Sequence, residues 1–170
     1  MARKKLQLES FLPYRLSVLT NVVSTAIATQ YARQFRLSIP EWRVMAVLAQ
    51  EPGLSAAEVA DRTAMDKVAV SRAVTALQRA QRLERQLAAG DRRRSVLRLS
   101  SQGLAVYRDV APVALAYEDA LLRPLSQRDR HDLDRLLRLL MARAADLDPA
   151  ASITRTDIEP ATTTPRRRRL

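Results

Sequence analysis

Val68, Ser71, Arg72, Thr75 and Arg79 recur at i, i+3, i+4, i+7 and i+11, the spacing that stacks side chains along one face of an α-helix. Their types suit nucleic acid. An arginine can fork onto a guanine edge, hydroxyls can meet phosphate or base, and a small apolar group can meet a thymine methyl. Val70, Ala73, Val74, Leu77 and Ala80 make the opposite, apolar stripe, so one face is available to a core and the other to a groove. Lys67 falls in the first turn, within reach of a phosphate, and Asp66 stands where a helix cap belongs. A plain solvated helix would also carry a polar face, so the reading depends on what flanks this one.

Other chemistries are thinly supplied. Cysteine is absent from the 170 residues, which removes thiolate nucleophiles, disulfides and thiolate metal sites together. His131 is the sole histidine, too few for a histidine metal cluster, and three glycines cannot build a Gly-rich phosphate loop. Arg130-His131-Asp132 lies on a polar stretch with no oriented nucleophile or oxyanion pocket in view. The expectation is therefore no catalytic residue, no metal, no cofactor and no enzyme activity.

The charge points the same way as the helix face. The formal net charge is +11. Most of the basic residues are arginine, which codon composition alone can produce, so position is more telling than number. Residues 79–94 hold six arginines against Glu84 and Asp91, a basic cluster inside the folded body that calls for an anionic partner, nucleic acid before membrane surface. No apolar run approaches the ~20 residues of a membrane span, and no signal-peptide core follows the basic start, so a cytoplasmic protein is expected.

Helix starts are written in one chemistry. Ser38-Ile-Pro-Glu41, Ser55-Ala-Ala-Glu58 and Ser126-Gln-Arg-Asp129 each place a hydroxyl ahead of a carboxylate three residues on, the capping-box pattern. Ser100 precedes another helical stretch without the acidic partner. The periodicity predicts helices at about 10–36, 39–50, 55–62, 66–80, 101–122 and 127–146, with Pro52-Gly53 breaking the second from the third. Two short strands fit at 83–87, with Leu83, Arg85 and Leu87 sharing a face, and at 95–99, with Leu97 and Leu99 sharing one. Ala88 to Arg94 is then a basic hairpin tip. The predicted class is mainly α (α+β): two short helices separated by about three residues and followed by a hairpin outline a winged helix-turn-helix. A basic arm at 1–9 precedes the body at 10–146, and the Pro/Thr/Ala-rich stretch at 147–170, ending in Arg166 to Arg169, is expected to be disordered.

Four segments together resemble the MarR family of bacterial transcription regulators: Leu37-Ser38-Ile-Pro-Glu41-Trp42-Arg43-Val44-Met45, Leu54-Ser55-Ala-Ala-Glu58-Val59-Ala60, Met65-Asp66-Lys67-Val68-Ala69-Val70-Ser71-Arg72-Ala73-Val74, and Asp91-Arg92-Arg93-Arg94-Ser95-Val96-Leu97-Arg98-Leu99-Ser100. The resemblance spans about residues 10–146. It implies a homodimer on double-stranded DNA, with a winged helix at about 37–100 presented to each half of a pseudo-palindromic operator and dimerisation helices at about 10–36 and 101–146. The family's reading positions fall on Lys67, Val68, Ser71, Arg72 and Thr75, with Arg79 continuing the same face. Its Asp-x-Arg wing pattern falls on Asp91-Arg92-Arg93, which gives Asp91 the task of holding the wing and Arg93 the minor groove. Arg92 goes to phosphate, and Arg94 either to phosphate or to solvent. One departure stands out: relatives carry glycine where the reading helix turns into the wing, and here the chain reads Gln81-Arg82-Leu83. If that position is left-handed, a non-glycine there costs up to ~1 kcal/mol.

The resemblance also implies a repressor released by a small aromatic acid or aldehyde. A lining for such an effector can be drawn from Arg15, Leu19 and Val22 on the first helix, Met45 and Ala49 on the second, and Tyr107, Val110 and Ala111 on the fifth. The same Leu/Val stripe would serve equally as dimer or domain core, Arg15 could pair with a carboxylate across the interface, and Trp42 is assigned to the core. Two rivals remain: an architectural protein binding DNA by charge alone, and a winged helix that binds protein instead of DNA.

Overall fold

Three serines start three helices as their spacing predicts. In the computed structural model, which describes residues 5–88 and 91–147 (the side chains of 88 and 91–94 excepted), Ser38 caps α2 (Ile39–Gln50) and Ser55 caps α3 (Ala56–Thr63) with both halves of the capping box formed. Glu41 and Glu58 each accept the backbone N–H of their own serine at 2.7 Å. Residues 1–4 of the expected arm at 1–9, and 148–170 of the expected tail at 147–170, lie outside the described residues.

The chain divides into two units, Met1–Leu121 and Leu122–Leu170. The first opens with a 3-10 turn (Leu8–Ser10) and α1 (Leu12–Phe35), then runs through α2 and α3 to α4 (Lys67–Arg79), strands β1 (Leu83–Ala88) and β2 (Asp91–Leu99), and α5 (Ser101–Leu122). Its core is one apolar cluster. Val44, Met45 and Leu48 of α2 meet Val59 of α3, Val70, Val74 and Leu77 of α4, and Leu83 and Leu97 of the strands; Tyr31 of α1, Leu37 of the link from α1 to α2, and Val106 and Val110 of α5 close it. The second unit holds α6 (Gln127–Asp146), started by the Ser126–Asp129 capping box. Arg130 donates to the carbonyls of Leu122 and Leu125, and Arg135–Asp132 and Arg138–Asp134 pair along the helix surface. Among the described residues, no helix is long and apolar enough to cross a membrane.

The wing departs from expectation in three ways. First, β2 begins at Asp91, so Asp91 to Arg94 are strand backbone and not a tip. Alternating apolar residues mark only the part of a hairpin that packs on a core, and from Leu87, 63% exposed, the strands have left it. Leu83 alone of the predicted face 83, 85, 87 is buried. Second, pairing passes from Leu87↔Ser95 directly to Ala88↔Asp91, so Arg92, Arg93 and Arg94 are extra residues on one strand, an irregularity that twists and re-aims a ribbon. Third, Leu54 bridges Leu97, with the Leu97 N–H donating to the Leu54 carbonyl at 2.8 Å and the Gly53 N–H to the Leu97 carbonyl at 2.9 Å. This ties the turn before α3 to the base of the wing.

Candidate nucleic-acid interface

Both ends of α4 are fixed by local chemistry. At the start, the Asp66 carboxylate accepts the Ala69 N–H at 2.8 Å. At the end, the Arg82 N–H reaches the Leu77 carbonyl at 2.9 Å and the Gln81 N–H the Gln78 carbonyl at 3.0 Å, the pair of bonds of a Schellman stop. That stop requires a left-handed residue, and Gln81 takes φ +57. The strain anticipated from the missing glycine is therefore present. What holds it is a bond network around Arg82: Ser100 Oγ donates to the Gln81 carbonyl at 2.7 Å, the Ser100 N–H donates to the Arg82 carbonyl at 3.1 Å, and the Arg82 guanidinium donates to the Phe35 carbonyl at the end of α1 at 2.7 Å. Gly103 completes it, because a Cβ there would lie 2.0 Å from the Arg82 carbonyl oxygen.

Between these anchors the helix is two-faced. Val70, Ala73, Val74 and Leu77 are buried, whereas Lys67, Val68, Ser71, Arg72, Thr75 and Arg79 are all exposed. Ala80, placed on the apolar stripe by periodicity, is the exposed C-cap instead, where the helix has already ended. Val68 leaves 58% of its surface open in the first turn, an apolar group offered outward. The Thr75 hydroxyl donates to the Ser71 carbonyl at 2.9 Å, so its methyl group and lone pairs remain for a partner. Among the described residues no ion pair includes Lys67, Arg72 or Arg79, which leaves three cations on one face for phosphate or base. Arg72 borders a groove closed by Ser38, Pro40 and Glu41 at the start of α2. The side chains of Asp91, Arg92, Arg93 and Arg94 lie outside the described residues, and only their strand backbone is placed.

The eight residues drawn as an effector lining are not brought into one cavity. Arg15, Leu19 and Val22 are exposed and border a groove lined by α1 and the turn before it. Met45 and Val110 are wholly inside the core cluster, with no exposed surface. Helical periodicity finds an inward face without saying whether it meets packing or space. Ala49 and Ala111 are half-buried. Tyr107 stacks on Trp42, ring centroids 5.7 Å apart, and Trp42 in turn meets Tyr31 at 5.8 Å.

Sequence reasoning missed Arg82 and Gly103 as the residues that position the exit of α4. A signal was present: Ser100 lacks the acidic partner that the other capping serines have, and its third-residue position is Gly103.

Residues 37–94, from the cap of α2 through the start of β2, match the family model described as MarR family. Over that stretch the chain resembles MarR-family proteins. Solved structures agree on the fold. A MarR/EmrR family transcriptional regulator from Acinetobacter sp. ADP1 superposes with TM-score 0.77 at 24% identity, over 84% of this chain and 100% of that one. The PcaV transcriptional regulator from Streptomyces coelicolor, solved with its natural ligand, gives TM-score 0.67 at 25% identity over 86% and 99%. BpsR from Bordetella bronchiseptica, whose DNA binding is regulated by 6-hydroxynicotinic acid, gives TM-score 0.71 at 18% identity over 81% and 97%. Curated proteins yield no match. The solved structures share with this chain a mainly α, winged helix-turn-helix fold.

Proposed function

We propose that this protein is a DNA-binding transcriptional regulator of the MarR family, a sequence-specific repressor that binds a pseudo-palindromic operator as a homodimer and is released by a small aromatic acid or aldehyde. The observation that carries the DNA-reading part is the outward face of α4: Val68, Ser71, Arg72 and Thr75 stand exposed between cations that have no ion-pair partner among the described residues, while the opposite face is filled by core. Lys67 and Arg79 then hold phosphates at the two ends of the helix, Arg72 reads a base edge, and Val68 meets a thymine methyl. Arg92 to Arg94, raised on the irregular strand of the wing, extend the contact to the flanking groove and backbone, with Asp91 holding the ribbon.

A homodimer is supported by apolar surface left uncovered. α1 exposes Leu12, Leu16, Leu19 and Val22; α6, taken by itself, exposes Leu136, Leu139, Leu140 and Met141. A second copy covering these faces gives the flanks at about 10–36 and 101–146 their dimerisation role, with the winged helix at about 37–100 between them. Release by a small molecule is supported by the natural ligand bound to PcaV, and its being an aromatic acid by the regulation of BpsR by 6-hydroxynicotinic acid.

The test is fluorescence anisotropy at one stated salt concentration. It compares the DNA upstream of the protein's own gene with a scrambled fragment, each with and without phenolic acids. Arg72→Ala is expected to weaken binding by about 1–3 kcal/mol and to relax preference at one base position. Equal loss on both fragments, with no response to any acid, would replace this reading with the architectural one.

A further inference from the structure

Two helix ends meet through one side chain. The Arg82 guanidinium donates to the Phe35 carbonyl at 2.7 Å, across 47 positions of sequence. Phe35 is the last residue of α1, so its carbonyl has no partner within the helix and carries the negative end of the helix dipole. A cation donating there makes a charge-assisted bond. Among the described residues no ion pair includes Arg82, and its Nε is buried without a hydrogen bond, so the side chain lies within the fold and is not spent on a carboxylate. The bond also joins two left-handed positions. Arg36, next to Phe35, takes φ +49, and Gln81, next to Arg82, takes φ +57, a costly conformation for a residue with a Cβ. One lies where α1 ends and the other where α4 ends.

Around this bond α1 packs through apolar groups: Tyr31 belongs to the core, and Ile27, Ala28 and Phe35 lie against it. Apolar contact resists separation but has no direction, whereas a hydrogen bond weakens steeply off its axis. Arg43 bonds Ser24 farther up α1, at 3.2 Å, but that ties α1 to α2. Among the described residues, the Arg82 bond is the one that fixes the end of α1 to the exit of α4. Small rotations there are amplified. Val22, exposed on α1, stands about 20 Å from Phe35 at the rise of an α-helix, so a tilt of about 10° at Phe35 moves it about 3 Å. That is close to the advance of one base pair along a duplex, about 3.4 Å.

We propose that Arg82 is a positioning residue that sets half-site spacing: by holding the end of α1 to the exit of α4, it fixes how far apart the two reading helices stand in the dimer. The proposal rests on the reading of the protein as a homodimer on a two-part operator. The chain contains no cysteine, so Ala57→Cys, at an exposed position of α3, places one spin label per protomer in the full chain and leaves α4 untouched. Pulsed dipolar spectroscopy then reads the distance between the two labels of a dimer. One narrow distribution is expected with Arg82 present. Arg82→Met keeps the aliphatic stem and removes every donor; it is expected to broaden that distribution or shift its mean by about 3 Å or more. Arg82→Gln, too short to reach the carbonyl, replaces it if the methionine variant fails to fold. Arg82→Lys keeps a cationic donor of similar reach and should restore most of the original width. The same proteins then select duplexes from a random pool. The methionine variant should recover the wild-type half-site while its single spacing gives way to several, differing by about one or two base pairs. If Arg82 only stabilises the fold, its loss lowers Tm and all DNA affinity alike with label distance and spacing unchanged, and that result overturns the proposal. The wild-type chain alone tells the other failure apart. No dipolar signal removes the dimer, and enrichment of no sequence removes the operator; either refutes the underlying reading and this proposal with it.

Discussion

Replacing Gly103 by alanine sets two effects of opposite sign against each other. Gly103 lies in the first turn of α5, and on helix propensity alone alanine should stabilise the protein by about 1 kcal/mol. The structure predicts the reverse. A Cβ on residue 103 would stand 2.0 Å from the Arg82 carbonyl oxygen and 3.0 Å from its carbon. Carbon and oxygen are not found closer than about 3 Å, so α5 and the turn after α4 would have to part by at least about 1 Å. These atoms are backbone on both sides and cannot swing away as a side chain would. Parting them stretches the Ser100 N–H bond to the Arg82 carbonyl, now 3.1 Å, beyond useful range. Overpacking costs roughly 1–3 kcal/mol, and the hydrogen bond lost between the Ser100 N–H and the Arg82 carbonyl adds roughly another 1. Net of the propensity gain, Gly103→Ala should destabilise by about 2 kcal/mol, a fall in Tm of roughly 4–8 °C for a chain of this size. Calorimetry at one fixed protomer concentration measures it, with Gln102→Ala, an exposed neighbour, as a control expected within about 0.5 kcal/mol of wild type. A Tm raised by Gly103→Ala would show that propensity rules at this position and that the close approach is not real.

The left-handed Gln81 makes the complementary prediction: Gln81→Gly should relieve roughly 1–2 kcal/mol of backbone strain and return roughly half to unfolded-chain entropy, for a net gain of about 0.5–1 kcal/mol, and a lower urea midpoint would contradict it. Lys67→Ala and Arg72→Ala should differ in kind. The first is expected to weaken every DNA sequence alike and to reduce the salt slope of log K by about 1, the second to change base preference; identical sequence profiles for the two variants would remove Arg72 from base reading. The Ser126 hydroxyl and backbone N–H hold the Asp129 carboxyl below the ordinary aspartate range. A depressed pKa in the folded state stabilises above the unfolded value, near 4, and that contribution is lost as pH falls through the folded value. Amide exchange in α6 should therefore accelerate below about pH 4 in the wild type and lose that step in Asp129→Ala; an unchanged step would place its origin elsewhere.

What the sequence made legible, and what it did not, divides by the range of the interaction. Ser38, Ser55 and Ser126 announce their helices because a capping box closes within four residues, and both halves form. The two faces of α4 are legible for the same reason, since periodicity is local and the buried set is the predicted one up to Leu77. Gly103 is illegible to periodicity because its cause is the Arg82 carbonyl, which approaches from the exit of α4. Yet it leaves a trace: Ser100 donates its hydroxyl proton to the Gln81 carbonyl and accepts the Gly103 N–H at 3.0 Å. It caps α5 and braces the strained exit of α4 at once, and the glutamate that would complete a box has no room. A capping serine followed by glycine at the third position is thus a sign of close backbone approach. The eight residues drawn as an effector lining, which do not line one cavity, are a different case. Met45 and Val110 lie on inward faces as read, but whether an inward face meets core or space depends on the volumes of residues from other helices. Here the space falls one turn of α2 earlier, at Trp42 and Arg43, where Ser24 is too small to fill what Tyr31, Ile27 and Ile39 leave open. A polar side chain of large reach placed opposite a serine, with no carboxylate pairing it among the described residues, is the sequence trace of that cavity, and a hydropathy pattern cannot register it.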